Sequence, residues 1–524
     1  MFSKKLTTKT YKYQPDKKTQ TMTQDTTQIY QEKTFIGIDI GTQSVKVIFY
    51  DAHTQEIKYS SRSELSLNQE ANGSSEQLAE WWLDALANCM ADIPSEIKTS
   101  AVAIGVSGQQ HGFVPLDKNG KVLAPVKLWC DTSTTQECDE LMEAMGGNNA
   151  CADKLGNPIM PGYTASKILW LKKNRPEQYD KLHTILLPHD YLNFHLSGTL
   201  SMEYGDASGT GLLNIRTRQW DSEILNAIDT EKDLLKCLPP FGISSTLSPE
   251  IAALYGLNPN IPIACGGGDN MMAAIGTGNV DNDVVTVSLG SSGTVYAHSD
   301  QAIIDEHQRL AAFCSSTNGW LPLLCTMNCT LSTELIRHLF NRDIEQLEQA
   351  VKETPIGANG VLTLPFFNGE RSPNLPKAKG TILGLDALNT TPENLLRSAM
   401  EGASFGLRLG IEALKDNGIK VKQIRLTGGG SKSASWRQML ADICDTVVVQ
   451  VSPDEGAAFG AALQALHAYS NVSGNPKDIK TLCAEHVKIN ESSRHEPLKE
   501  SVERYDAIYQ EYTRAVDAIS SFYQ

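Results

Sequence analysis

No apolar run in this 524-residue chain approaches the roughly 18 residues that span a bilayer, so a membrane partner is not expected. Net positive charge is missing as well. The 46 Lys and Arg against 61 Asp and Glu leave a formal charge of −15, whereas nucleic-acid binders generally carry a basic surplus that replaces phosphate counterions. Nucleic acid is therefore not expected as the main partner; acidic small molecules are not excluded, since a basic pocket can sit on an acidic protein. There is no C-x-x-C. The eleven cysteines are odd in number and the nearest pair, Cys325 and Cys329, lacks histidines at zinc-finger spacing, so they read as reduced thiols in a cytoplasmic protein. Residues 1–33 lack an apolar signal-peptide core, and no arginine precedes Arg62, which argues against export and against a mitochondrial transit peptide. Thr, Lys and Gln dominate there, the composition of a disordered polar tail.

The better-known nucleotide motifs are absent too. TGGGSKSASW at 427–436 places Lys432 after Ser431 rather than after glycine, and the spacing G-x-x-x-x-G-K-[ST] is not met. No complete G-x-G-x-x-G opens a helix, and the H-R-D and D-F-G elements of protein kinases do not occur. An ATP site in this chain needs another architecture.

What the chain does have is length and an internal echo. It exceeds one hydrophobic core, and about two to four domains are expected. FIGIDIGTQSVKVIFYD at 35–51 reads as two strands, 35–39 and 45–50, around a small turn preceded by an acid. DVVTVSLGSSGTVYAHSD at 283–300 repeats the design. Helical spacing covers 75–92, a buried strand 101–108, and helices 165–175, 190–196 and 222–236, before a short apolar strand from 261 runs into GGGDN at 266–270. Strands alternating with helices imply an α/β fold. The echo suggests two similarly folded domains facing a cleft, with their boundary near 279–283; the alternative is two unrelated hairpins with Gly-Ser turns.

A Gly-Thr or Gly-Ser turn gathers backbone N–H groups and hydroxyls in one concavity, which is a phosphate cradle. Asp39, at the end of its strand, is placed to hold the Mg²⁺ that travels with a polyphosphate, although D-x-G-T also closes ordinary hairpins. Asp269 follows three glycines just past a buried strand, where α/β sheets bind ligands. It is a candidate general base for a substrate hydroxyl, with a helix N-cap as its alternative role. SGQQHGF at 107–113 presents Gln109, Gln110 and His111 at another strand end. Amides and an imidazole suit the several hydroxyls of a polyol or sugar; a satisfied structural histidine is the other reading. In GGGSKS, between a strand and a helix, the glycines allow close approach of a ligand, or Ser431 or Ser433 caps the helix.

Together these pieces resemble the FGGY carbohydrate kinases over roughly residues 34–470. GIDIGTQSVK at 37–46 resembles the family's first phosphate loop, and SGQQHG at 107–112 its sugar-contacting segment. GYTASKILWLKKN at 162–174 and GTILGLDALNTTPENLLRSAME at 380–401 resemble its two signatures, in order. MPGYTASK, LPHDYL, DASGT at 206–210, GGGDN and FNGERSP at 367–373 are similar to the branch that phosphorylates D-xylulose. The resemblance implies two ribonuclease-H-like (actin-like) domains flanking a catalytic cleft, a sugar-binding one at 34–280 and an ATP-binding one with C-terminal helices at 281–524. It implies Asp269 as catalytic base and Asp39 as the acid that organises Mg²⁺ and the phosphates. Gly41, Thr42 and Gln43, with Ser291, Ser292 and Gly293, would surround the phosphates of ATP, and Gly429, Gly430 and Lys432 would lie near adenosine. The ketopentose would sit beside Gln110, His111, Asp131, Asp269 and Asn270.

Three places depart from the family's usual pattern: Gln110 stands for Met, Ser74 for Trp, and Cys130-Asp131-Thr132-Ser133 for Asn-Asp-Gly-Arg. They bear on which sugar is taken. Alternatives on the same fold are a kinase for another ketose or polyol and a non-catalytic sugar-sensing regulator. A chaperone-type ATPase would need a peptide-binding domain, and only about fifty residues follow 470. A monomer or homodimer is expected, with the helical C-terminal stretch packed back on the second domain.

Overall fold

The structure is a computed structural model that describes residues 33–229, 232–235 and 242–523. Apart from Lys33, the expected tail at 1–33 lies outside the described residues. The opening stretch forms strands β1 (Thr34–Ile40) and β2 (Ser44–Asp51), which pair antiparallel and continue into β3 (Glu56–Glu64). Strand β4 (Ala101–Gly108) runs parallel to β1, and β5 (Ile243–Thr246) and β6 (Pro262–Ala264) extend the sheet to the order β5-β6-β4-β1-β2-β3. The echo builds the same thing again. Strands β7 (Asp283–Leu289), β8 (Gly293–Ala297) and β9 (Leu323–Thr326) meander antiparallel; β10 (Val421–Thr427), β11 (Val447–Ser452) and β12 (Lys488–His495) complete the order β9-β8-β7-β10-β11-β12. In both sheets three antiparallel strands are followed by two parallel ones and an antiparallel edge, the ribonuclease-H-like arrangement.

Strands β1 and β4 are apolar almost throughout because both faces of their sheet are covered. One face packs on helix α1 (Ala79–Ala91) through Trp82 and Leu86. Helix α2 (Asp269–Gly276) follows the triple glycine, and the second sheet packs on α3 (Pro392–Asp416) and α4 (Ala434–Cys444). Helix α5 (Gly456–Val472) belongs to the second half of the chain, yet it lies on β1 and β4 of the first sheet. Its backbone comes so close that a Cβ on Gly37 would overlap the Ala458 carbonyl oxygen, and one on Gly105 that of Ala461. A third apolar core forms here between the sheets, from Phe35, Tyr50, Met272, Tyr296 and Phe459 among others. Helix α6 (Lys499–Ser520) packs on the second core as expected, with Tyr505, Tyr509 and Tyr512 around Phe405 at ring distances of 6.2, 5.7 and 5.2 Å.

Two helices differ from the sequence reading. The helix expected over 75–92 begins only at Ala79, because Ser75–Gln77 pair as a strand with residues 126 and 127. Gln77 is fully buried and its amide bonds the carbonyls of Thr42 and Ser66, both at 2.8 Å, a tertiary demand that outweighs helical spacing. The helix expected over 222–236 is Ser222–Ile228, and residues 230, 231 and 236 lie outside the described ones.

Candidate active site

Parallel strands β1 and β4 end side by side, and Gly267–Gly268 pairs alongside Ser107 and Gly108 of β4. That register delivers Asp39, the Gln109-Gln110-His111 turn and Asp269 to one edge of the sheet. Ser107 is the register partner of Asp39 and its hydroxyl donates to Asp39 Oδ1 at 2.7 Å. Burial raises the Asp39 carboxyl above its ordinary value, opposed by this hydrogen bond and by the charge of Lys46.

Asp269 is not the N-cap of α2. Gly268 occupies that position in an extended conformation, and Asp269 is the first helical residue. Its Oδ1 accepts from the Asn270 backbone N–H at 2.8 Å and from Asn270 Nδ2 at 3.0 Å. Burial, then the charges of Asp39 and Asp206, push its carboxyl up to about 7.

Asn270 ties the two halves together. Its Nδ2 donates to Gln110 Oε1 at 2.9 Å, and its Oδ1 accepts from Thr294 on β8 at 3.3 Å. Gln110 is 5% exposed and its Nε2 has no hydrogen-bond partner among the described residues. His111 adopts φ +63°, with its carbonyl held by Lys167 Nζ at 2.7 Å and the Thr164 hydroxyl at 3.2 Å. The ring lies 4.8 Å from Tyr163 and 5.8 Å from Phe313. Burial, then the charges of Lys167 and Arg371, hold its pKa well below the usual range, so the imidazole is neutral. A cavity of about 690 Å³ opens against this wall, lined among others by Gln110, His111, Trp129, Asp269, Asn270 and Ser292.

Asp131 is placed elsewhere. It is fully buried, its Oδ2 takes the Ser75 N–H at 2.9 Å and Lys127 Nζ at 3.1 Å, and its Oδ1 takes Ser133. Two of the positions that depart from the family pattern, Ser74 and Ser133, are therefore part of an ion-pair nest outside the cavity lining, whereas the third place, Gln110, lines the cavity.

The glycine loops flank the cavity. Gly41 N–H closes its turn on Ser44 O at 3.0 Å, Gln43 O accepts from Leu65, and the Thr42 hydroxyl donates to Gln109 while accepting from Trp129 Nε1, both at 2.9 Å. Thr42 thus orients the Trp129 that lines the cavity. In the second loop Gly290 O accepts from Thr330, and Ser291 is exposed, Ser292 half-buried and Gly293 paired in β8. Ser433 caps α4 by accepting from Trp436 N–H at 3.0 Å, as the alternative reading had it. Ligand approach stays open beside it: a Cβ on Gly429 would meet nothing, whereas Gly430 packs on Leu289 and Trp436, and Lys432 is exposed. Asp39, Gly41, Thr42, Gln43, Ser291, Gly293, Gly429, Gly430 and Lys432 all lie outside the cavity lining.

Two cations were missed. Lys46 is the cross-strand partner of Asp39 and pairs with Glu455 of the second half; a hairpin register counted out from Gly41 would have found it. Arg371 lies in FNGERSP, a segment singled out by the resemblance but given no role, and it lines the cavity from the far half of the chain.

The FGGY carbohydrate kinase N-terminal domain model matches residues 34–276, and the C-terminal one residues 285–469. The xylulose kinase of Haemophilus influenzae is 43% identical over 489 residues, 91% of this chain and 98% of that protein. That of Bacillus subtilis is 34% identical over 494 residues, 92% and 96% of the two chains. A xyloylose kinase structure from Brucella ovis shares a TM-score of 0.86 at 28% identity, covering 93% of this chain and 100% of that one. The ligand-bound xylulose kinase of Lactobacillus acidophilus shares the fold with a TM-score of 0.87 at 24% identity, over 94% and 99% of the chains. The duplicated sheets, the acids at their edge and these relatives agree: the chain belongs to the FGGY family of carbohydrate kinases, enzymes that transfer phosphate to an alcohol group of a sugar.

Proposed function

We propose that the enzyme transfers the γ-phosphoryl group of ATP to the terminal hydroxyl of D-xylulose, releasing D-xylulose 5-phosphate and ADP, with Asp269 as general base. The observation that carries the base assignment is a carboxyl pushed up to about 7 at the edge of a cavity whose wall holds Gln110, its Nε2 without a partner among the described residues. The xylulose kinases among its relatives support the choice of sugar. In this reading residues 34–280 bind the ketose through Gln110, His111 and Asn270, and residues 281–524 bind ATP, its adenosine approaching over Gly429. Asn270 and Gln110 orient the sugar; Asp269 receives the hydroxyl proton as that oxygen bonds to the γ-phosphorus and the bond to ADP breaks.

Asp39 and Asp269 are two acids raised by burial, and the charge of the first disfavours ionisation of the second. A divalent cation suits such a pair. Mg²⁺ held by Asp39 would, when bound, offset the charge on the transferring phosphates. A cytoplasmic setting fits the ten described cysteines, all of them free.

Closure of the cleft on the sugar would suppress transfer to water, so ATPase activity without sugar should be low but measurable. The test is ADP release with MgATP and D-xylulose, D-ribulose, L-ribulose, glycerol or gluconate, for the wild type and Asp269→Asn. Stimulation by D-xylulose alone that is lost in the variant is expected; stimulation by another sugar would move the specificity, and none at all would remove the kinase reading.

A further inference from the structure

Arg371 is a cation on a rigid mount with no counter-charge. The mount is the loop 367–375: Glu370 is buried, and its carboxylate accepts from the backbone N–H groups of Met327 and Arg371, both at 2.8 Å, and from Asn328 Nδ2 at 3.1 Å. Glu370 and Leu375 exchange two backbone hydrogen bonds, at 2.9 and 3.0 Å, and Gly369, at φ +69°, packs on the Pro376 carbonyl where no Cβ fits. The neighbouring acid is thus committed to backbone and amide donors. Among the described residues no carboxylate lies within ion-pair distance of the Arg371 guanidinium, although Arg309, which also lines the cavity, is doubly paired with Asp305 and Asp416. A cation carried on a backbone held this firmly and left uncompensated in a cavity is arranged for a ligand.

Its neighbours place it along the cavity. The charge of Arg371 is felt by His111, Tyr163 and Cys325, whereas Asp269 has Asp39 and Asp206 as its strongest charged neighbours. Cys325, which also lines the cavity, feels the charges of both Arg371 and Asp269. Asp269 and Arg371 line the same cavity. A pentulose bound in this cavity with its terminal hydroxyl at Asp269 would have its C2 carbonyl and C1 hydroxyl free to meet the guanidinium. Those are two acceptors on adjacent carbons, and a guanidinium offers parallel N–H donors and no acceptor.

We propose that Arg371 is a specificity-determining residue that binds the carbonyl end of the ketose, opposite the site of phosphoryl transfer. The inference rests on the ketose-kinase reading above and adds the group that distinguishes a ketose from the corresponding pentitol.

The experiment compares wild type, Arg371→Met and Arg371→Lys with D-xylulose and with xylitol and D-arabinitol, its two C2-reduced forms. A lost charge-assisted hydrogen bond corresponds to about a 10- to 100-fold fall in kcat/KM for the ketose in Arg371→Met, expected mainly in KM. The pentitols should change little, so the ketose-to-pentitol ratio falls toward one; Arg371→Lys should recover part of it. The KM for ATP and the sugar-free ATPase rate should stay as in wild type. An unchanged ratio accompanied by a fall in kcat and in sugar-free ATPase would reassign Arg371 to the phosphates, and no change in any parameter would remove it from the site. Wild-type turnover of D-xylulose separately tests the underlying reading. If turnover is absent, calorimetric titration of D-xylulose into wild type and Arg371→Met still decides the contact: equal affinities, or no binding to either, would overturn it.

Discussion

Asp269 combines a helix start without a capping side chain, two bonds from Asn270 and a carboxyl pushed up to about 7. In the proposed role of general base it works only when ionised, so kcat/KM should rise with pH through about 7 and fall away on the acid side, a profile measurable by steady-state kinetics. Asp269→Asn should lower kcat by about 10²- to 10⁴-fold. The stability sign is opposite. A carboxyl raised from 3.8 to about 7 on folding contributes stability that is fully present below the lower value and lost as pH rises through the upper one. Relative to wild type, Asp269→Asn should therefore gain in melting temperature between about pH 5 and pH 8. Lys167 is pushed down to about 7 by burial and holds the His111 carbonyl. Lys167→Met should raise the KM for sugar while leaving that for ATP alone. Asp39 and Asp269 stand out in the sequence because each lies at or just past the end of an apolar strand, within two residues of a glycine, and the structure brings both to one sheet edge. Asp131 was misleading there, because the buried Lys127 that neutralises it is visible only after the chain has folded.

At the scale of elements, glycines divide into those demanded by packing and those left for ligands. Gly37 and Gly105 lie beneath α5, and a methyl at either would strike its carbonyls. Gly105→Ala should cost about 1–3 kcal/mol, read as a lower urea midpoint with kinetics little changed in the folded fraction. Gly429→Ala is the contrasting case. Its Cβ would enter open space, so stability should hold while the KM for ATP rises several-fold. Strand positions could be read from sequence, since runs such as VKVIFYD and DVVTVSL are long, apolar and rich in β-branched residues. The start of α1 could not, because Gln77 is drawn into a strand by carbonyls at Thr42 and Ser66.

The whole molecule is tied together by α5, which comes late in the chain and covers β1 and β4. A fragment of residues 34–280 would leave those strands without the helix that buries them. Expressed alone it should aggregate, and co-expression with residues 281–524 should restore soluble protein, as judged by size-exclusion chromatography.

By itself the sequence determined the α/β class, the duplicated strand-glycine-strand unit and the acids at its edge. These depend on apolar runs, turn residues and an adjacent carboxylate, all set within a dozen or so positions. Only the tertiary structure decided that α5 lies on the first sheet, that Asp131 is neutralised within a buried nest, and that Arg371 lines the cavity with no ion-pair partner among the described residues. Burial and pairing bring together groups hundreds of residues apart, and local chemistry carries no record of which partners will arrive.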